Sequence, residues 1–155
     1  MSRENVEIVR QVIEAFQAGV KRGDPGAAFD SGAVADDSEW ITRNPFEGRT
    51  VWRGREEFVE FFRTFTDELE DWSGRVERLI DAGDNRVVAL VHQSATGKGS
   101  GAPVEWHQGL VYELRDGCVI RTWSYTNPAE ALEAAELRSR RCRRRTSPAK
   151  GLAGL

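Results

Sequence analysis

Between residues 71 and 126 the chain reads as four strand-like runs: DWSGRVERLIDAG, NRVVALVHQSATG, APVEWHQGLVYELR and CVIRTWSYT. Only short turn segments separate them. Runs rich in Val, Ile, Thr, Tyr and Trp with so few residues between them must pair antiparallel, because a parallel crossover needs a dozen residues or more. Asp84-Asn85, GKGSG and Asp116-Gly117 supply the turns. Asp-Gly suits the two-residue hairpin turn in which both central positions take positive φ. A long antiparallel meander is therefore the frame around which everything else must fold.

The segments before and after the meander carry helical periodicity. Val6, Val9, Val12, Ile13, Phe16 and Val20 recur at intervals of three and four, which predicts an amphipathic helix over 5–20 with Ser2 able to cap it. KRGDPG ends it, and DPGAAFDSGAVADD reads as a short second helix that breaks at Gly32. SEWITRN has strand character and PFEGRTVWRG reads as an irregular loop. From Arg55, the residues Phe58, Phe61, Phe62, Phe65 and Leu69 mark another amphipathic helix. After the meander, NPAEALEAAEL reads as a closing helix with Asn127 at the cap, Pro128 in the first turn and Glu130 placed for a capping box. The predicted fold class is α+β: a cone-shaped barrel in which a strongly bent antiparallel sheet is covered on one face by helices.

The 155 residues suit one domain. We place it at 1–137 and read 138–155 as a basic, disordered tail. That tail holds seven of the 22 Lys and Arg residues and no acid, leaving 15 bases against 25 acids in the body. An acidic body without a basic, aromatic groove does not suit nucleic acid as a partner. No apolar run approaches the ~20 residues of a membrane span, and MSRENVEIVRQ lacks an apolar signal centre, so a cytoplasmic location is expected. Cys118 and Cys142 lack metal-type spacing; neither a metal site nor a disulfide framework is expected.

If Asp116 and Gly117 alone form the last turn, Leu114 pairs with Val119, Leu110 with Trp123, Gln108 with Tyr125 and Trp106 with Asn127. One face then carries Trp106, Gln108, Leu110, Tyr112 and Leu114 beside Val119, Arg121, Trp123, Tyr125 and Asn127. Glu105, His107, Gly109, Val111 and Glu113 take the other face. The first face should meet the helices, with its polar end at a cavity mouth. A turn near Gly99 sets His92 opposite Trp106 in the same mouth, where it would be the best-placed base; a slip of one residue would turn it outward. Glu39, Asp36 and Asp37 are the nearby acids, but alternation sets Glu39 and Trp40 on opposite faces, so that Trp40 inside means Glu39 outside. Arg43 is expected to be exposed. These residues define a candidate site of His92, Tyr125 and Asn127 for chemistry and Trp40, Phe62, Trp106, Gln108 and Trp123 for substrate.

NVEIVRQVIEAF, WRGREEFVEFF, LIDAGDNRVVALVHQSATGKGSG and VYELRDGCVIRTWSYTNPAEALEAAEL together resemble a SnoaL-like protein of the nuclear transport factor 2-like superfamily, which also contains ketosteroid isomerases and polyketide cyclases. The resemblance spans roughly residues 3 to 137. It implies a hydrophobic cavity in a cone, a homodimer formed through the sheet, and no metal or organic cofactor. Where many relatives carry tyrosine, any residue, then aspartate before the last helix, this chain has YTN. Asn127 cannot exchange a proton near neutral pH and would serve as a hydrogen-bond donor or as a helix cap. Two functions follow. One is a cofactor-independent isomerase, cyclase or dehydratase acting by proton transfer on a hydrophobic carbonyl substrate. The other is a non-catalytic ligand-binding or dimerisation module.

Overall fold

The computed structural model describes residues 2–145, with side chains described for residues 3–136. Helix α1 (Ser2–Lys21) is followed by a 3-10 turn (Ala27–Ser31), strands β1 (Val34–Phe46) and β2 (Arg49–Arg53), and helix α2 (Gly54–Phe65). The meander comprises β3 (Leu69–Gly83), β4 (Arg86–Gly97), β5 (Pro103–Arg115) and β6 (Cys118–Tyr125), and α3 (Pro128–Arg145) closes the chain. The sheet order is β2-β1-β6-β5-β4-β3. This is the cone-shaped α+β fold, built on an open, curved sheet. Its strands are antiparallel except at one seam, where β1 runs parallel to β6 and Glu39 lies opposite Arg121.

Local chemistry explains most of these elements. Val9, Val12 and Ile13 of α1 are buried against Val87, Ala89 and Val91 of β4 and Leu110, Tyr112 and Leu114 of β5. The α1 helix stops where Asp24 N donates to the Gly19 carbonyl at 2.8 Å. A Cβ on Gly19 would stand 2.3 Å from the Asp24 oxygen, so only glycine allows this reversal. PFEGRTVWRG, expected as a loop, is instead the end of β1, a two-residue turn and β2. Glu47 and Gly48 take φ of 51° and 76°, the geometry of a tight hairpin turn. Asp116 and Gly117 do the same at 52° and 78°.

The two faces of the sheet are covered differently. On the concave face lie α1 and α2; on the convex face α3 packs through Ala131 and Ala135 onto Val88, Val111 and Tyr125. The close approach of α3 depends on Gly109, where a Cβ would fall 2.5 Å from that of Ala131. Helix α3 runs on to Arg145, past the boundary expected at residue 137; residues 146–155, with the end of the basic tail, lie outside the described residues. Among the described residues no helix is long and apolar enough to cross a membrane.

Candidate functional site

The final hairpin decides which side chains reach the interior. Arg115 pairs with Cys118 and Leu114 with Val119, as the Asp116-Gly117 turn requires. One step further the register shifts: Glu113 lies opposite Arg121, Tyr112 opposite Thr122 and Leu110 opposite Ser124. A bulge at Ile120 inserts one residue into β6 and inverts the facing of everything after it. Thr122, Ser124 and Thr126 therefore line the interior. Trp123 and Tyr125 turn to the convex side and pack with Val111 and α3.

This corrects two of the expected site residues and finds a third at the helix cap expected for it. Trp123 and Tyr125 are core residues beneath α3. Asn127 caps that helix: its Oδ1 accepts the Ala129 N–H at 2.9 Å, satisfying one of the open donors of the first turn. His92 is a third correction. It pairs with His107, and Gln93 takes the place opposite Trp106, because the β4–β5 connection closes with Gly97 N donating to the Ala102 carbonyl. The His92 ring stands 4.8 Å from that of His107 on the convex face, with Nε2 3.0 Å from the Glu105 carboxylate.

The other expected residues line one hollow. Trp40, Phe62, Trp106 and Gln108 all border a cavity of about 730 Å³ between the concave face and helices α1 and α2. Its inner wall is aromatic. Phe16 meets Phe62 and Trp72 edge to face at centroid distances of 5.1 and 5.4 Å, and Trp40 meets Phe58 at 5.3 Å. At the rim, Phe65 of α2 reaches Trp106 of β5 at 6.0 Å. Edge-to-face contacts of this kind hold rings in place beyond what burial alone achieves.

One stripe of polar groups crosses the apolar wall, a feature sequence reasoning missed. Trp72 Nε1 on β3 donates to Gln93 Oε1 on β4 at 2.8 Å. Gln93 Nε2 donates to Gln108 Oε1 on β5, and Gln108 Nε2 donates to Ser124 Oγ on β6. Four successive strands thus contribute one hydrogen-bonded row. Gln93 and Ser124 are buried. Gln93 was legible: it shares the parity of Val87, Ala89 and Val91, all core residues. Ser124 was not, because nothing in the sequence announces the bulge. Tyr112 also borders the cavity, and full burial raises its hydroxyl pKa, so the group stays protonated as a donor. Trp40 Nε1 is a buried donor with no hydrogen-bond partner among the described residues.

Charged and titratable residues also border the hollow, among them Glu39, Arg43, Glu68 and His107. Glu39 pairs with Arg53 at 2.5 Å and Arg121 at 3.1 Å, and the Arg53 contact, followed by that of Arg121, holds its carboxyl below the usual glutamate range. Trp40 faces in and Glu39 pairs with convex-face arginines, as alternation requires; a Glu39 base of raised pKa is ruled out by these two arginines. Arg43 is exposed and meets Glu130 at 3.3 Å, which draws Glu130 away from a capping box. Asp36 and Asp37 are exposed. Among the described residues no group of three or more His, Cys, Asp or Glu side chains could hold a metal ion.

A SnoaL-like domain family model matches residues 9–122. The chain belongs to the SnoaL-like domain family. Solved structures agree with the SnoaL-like fold. An NTF2-like protein of unknown function from Burkholderia pseudomallei K96243 superposes with a TM-score of 0.64 at 20% identity, covering 84% of this chain and 95% of that one. A provisionally named SnoaL-like polyketide cyclase from Jannaschia sp. CCS1 gives 0.64 at 18%, covering 86% and 92%. TerC, co-crystallised with polyporic acid, gives 0.63 at 20%, covering 86% and 98%. No curated protein matches the sequence. At these identities the likeness carries the fold, and the membership makes this SnoaL-like chain one of a small-molecule-binding family.

Proposed function

We propose that the protein binds a hydrophobic small molecule in the concave cavity, gripping it between aromatic rings and orienting it against the polar stripe. The observation that carries this reading is the hollow itself: about 730 Å³, walled largely by Phe, Trp and aliphatic side chains and crossed by the hydrogen-bonded polar row. Small-molecule sites characteristically combine a mostly apolar lining with a few fixed polar groups. The co-crystallised polyporic acid of TerC and the cyclase naming of the Jannaschia protein support the same ligand class.

Catalysis as an isomerase, cyclase or dehydratase needs a group that exchanges protons near neutral pH. The base expected for it, His92, stands on the convex face beside Glu105. Of the titratable residues that border the cavity, Glu39 is paired with Arg53 and Arg121 and His107 with Glu77 at 3.2 Å, and the row that crosses the wall is neutral, which favours ligand binding over proton transfer as the primary role. The proposed assembly is a homodimer through the convex face of the sheet, to be tested by sedimentation equilibrium.

The test of binding is a thermal-shift screen of flat apolar compounds on the wild type and on Thr122→Phe, which fills the hollow from β6. Stabilisation of the wild type by several degrees and little of the variant is the expected result. Equal stabilisation of both, or none of either, would refute the reading.

A further inference from the structure

The polar stripe has a direction, and a single residue sets it. Indole Nε1–H donates and cannot accept. Trp72 therefore requires the oxygen of Gln93, which turns the Gln93 amide nitrogen toward Gln108. Gln108 must answer with its oxygen, and its nitrogen then faces Ser124. Ser124 Oγ accepts from Gln108, so its own hydrogen is directed elsewhere. Each oxygen in the row has received a hydrogen from the strand before it, and the row ends at a hydroxyl whose proton is still to be given. Ser124 is buried and borders the cavity, flanked on β6 by Thr122 and Thr126 on the same face.

We propose that this row makes the site selective for a ligand carbonyl oxygen, with Ser124 as the donor that touches it and Trp72 as the residue that fixes the polarity from three strands away. The inference rests on the binding reading above and specifies what the ligand must offer: an uncharged, flat, apolar body carrying a hydrogen-bond acceptor. A ligand whose only polar group is a donor could use the second Ser124 lone pair but would leave the buried hydroxyl proton without an acceptor, which costs binding. Tyr112, opposite Thr122 on β5, adds a second protonated hydroxyl to the same wall. Hydrogen bonds in a row also polarise one another, so each link strengthens the donor at the end. Reversing the row would strip Trp72 of its acceptor, which is why the edge strand governs what the middle of the sheet presents.

The experiment uses fluorenone and fluorene, matched three-ring probes with and without a carbonyl, titrated by calorimetry into the full chain. Ser124→Ala is expected to weaken fluorenone roughly tenfold, the effect of losing one buried hydrogen bond, and to leave fluorene unchanged. Trp72→Phe also removes part of the aromatic wall, so it is expected to weaken both probes, fluorenone more than fluorene. The infrared carbonyl stretch of bound 13C-labelled fluorenone is expected to fall in the wild type and to return toward its value in apolar solvent in Ser124→Ala. Equal losses for both probes in Ser124→Ala, or an unaltered carbonyl stretch, would overturn the donor assignment while leaving cavity binding intact. If neither probe binds the wild type, the cavity reading fails and takes this inference with it. Ser124→Val, which also lacks the hydroxyl, serves as a second variant should Ser124→Ala fold poorly.

Discussion

Trp72 donates its indole N–H to the Gln93 side-chain oxygen at 2.8 Å, linking the edge strand β3 to the row that ends at Ser124 on β6. Gln93 is 6% exposed, so water cannot replace it in that role. Gln93→Leu strands the Trp72 donor and the Gln108 oxygen together. We expect a loss of about 1–3 kcal/mol in urea denaturation, the usual cost of buried polar groups left unpaired. An unchanged midpoint would show that the row contributes nothing to the fold.

Gly109 is where α3 meets the sheet most closely. Any side chain there collides with Ala131 and with the Pro128 Cα, 3.1 Å from the position a Cβ would occupy. Gly109→Val should therefore destabilise by about 1–3 kcal/mol through overpacking. Pairing it with Ala131→Gly should recover part of the loss, because the two positions share one space. The double variant, compared with both single ones by thermal denaturation, checks this.

The acid limb of stability should carry a Glu39 signature. Its folded-state pKa is lowered from the ordinary 4.5, first by Arg53 and then by Arg121. A depressed carboxyl stabilises the fold above its unfolded pKa and loses that contribution as pH falls through the folded value. Stability of the wild type should start to drop below about pH 4.5, and Glu39→Gln should flatten that part of the profile. High salt should weaken the difference, since the pair is partly exposed and screened.

His92 has no place in the cavity. We expect His92→Ala to leave the affinity of any cavity ligand within about twofold of wild type, since the ring contacts Glu105 and His107 on the far side of the sheet. A tenfold loss would show that the two faces are coupled.

The parts of the fold that depend on local chemistry were legible. The stripe Val6, Val9, Val12, Ile13 and Phe16 announces α1, the Asp116-Gly117 pair announces its hairpin, and strict alternation along β5 gives the correct facing for Trp106, Gln108, Leu110 and Tyr112. What failed was register. One extra residue at Ile120 exchanged Trp123 and Tyr125 for Thr122 and Ser124 at the cavity wall, and the longer β4–β5 connection exchanged His92 for Gln93. A bulge stabilised by its tertiary surroundings leaves no periodic trace, and a period of two turns one residue of error into the wrong face. The parallel seam between β1 and β6 was equally silent, because it pairs residues more than eighty positions apart that share no turn.

That seam has a kinetic consequence. The meander can zip up hairpin by hairpin, each step closing a short loop, whereas β1 must wait for β6, the last strand to be laid down, before it finds its edge. Trp40 and Ser38, which β1 brings to the cavity, therefore arrive late. Ligand-induced protection in a refolding experiment should appear with the slowest phase, because the host of the guest is completed only when the two distant ends of the sheet have met.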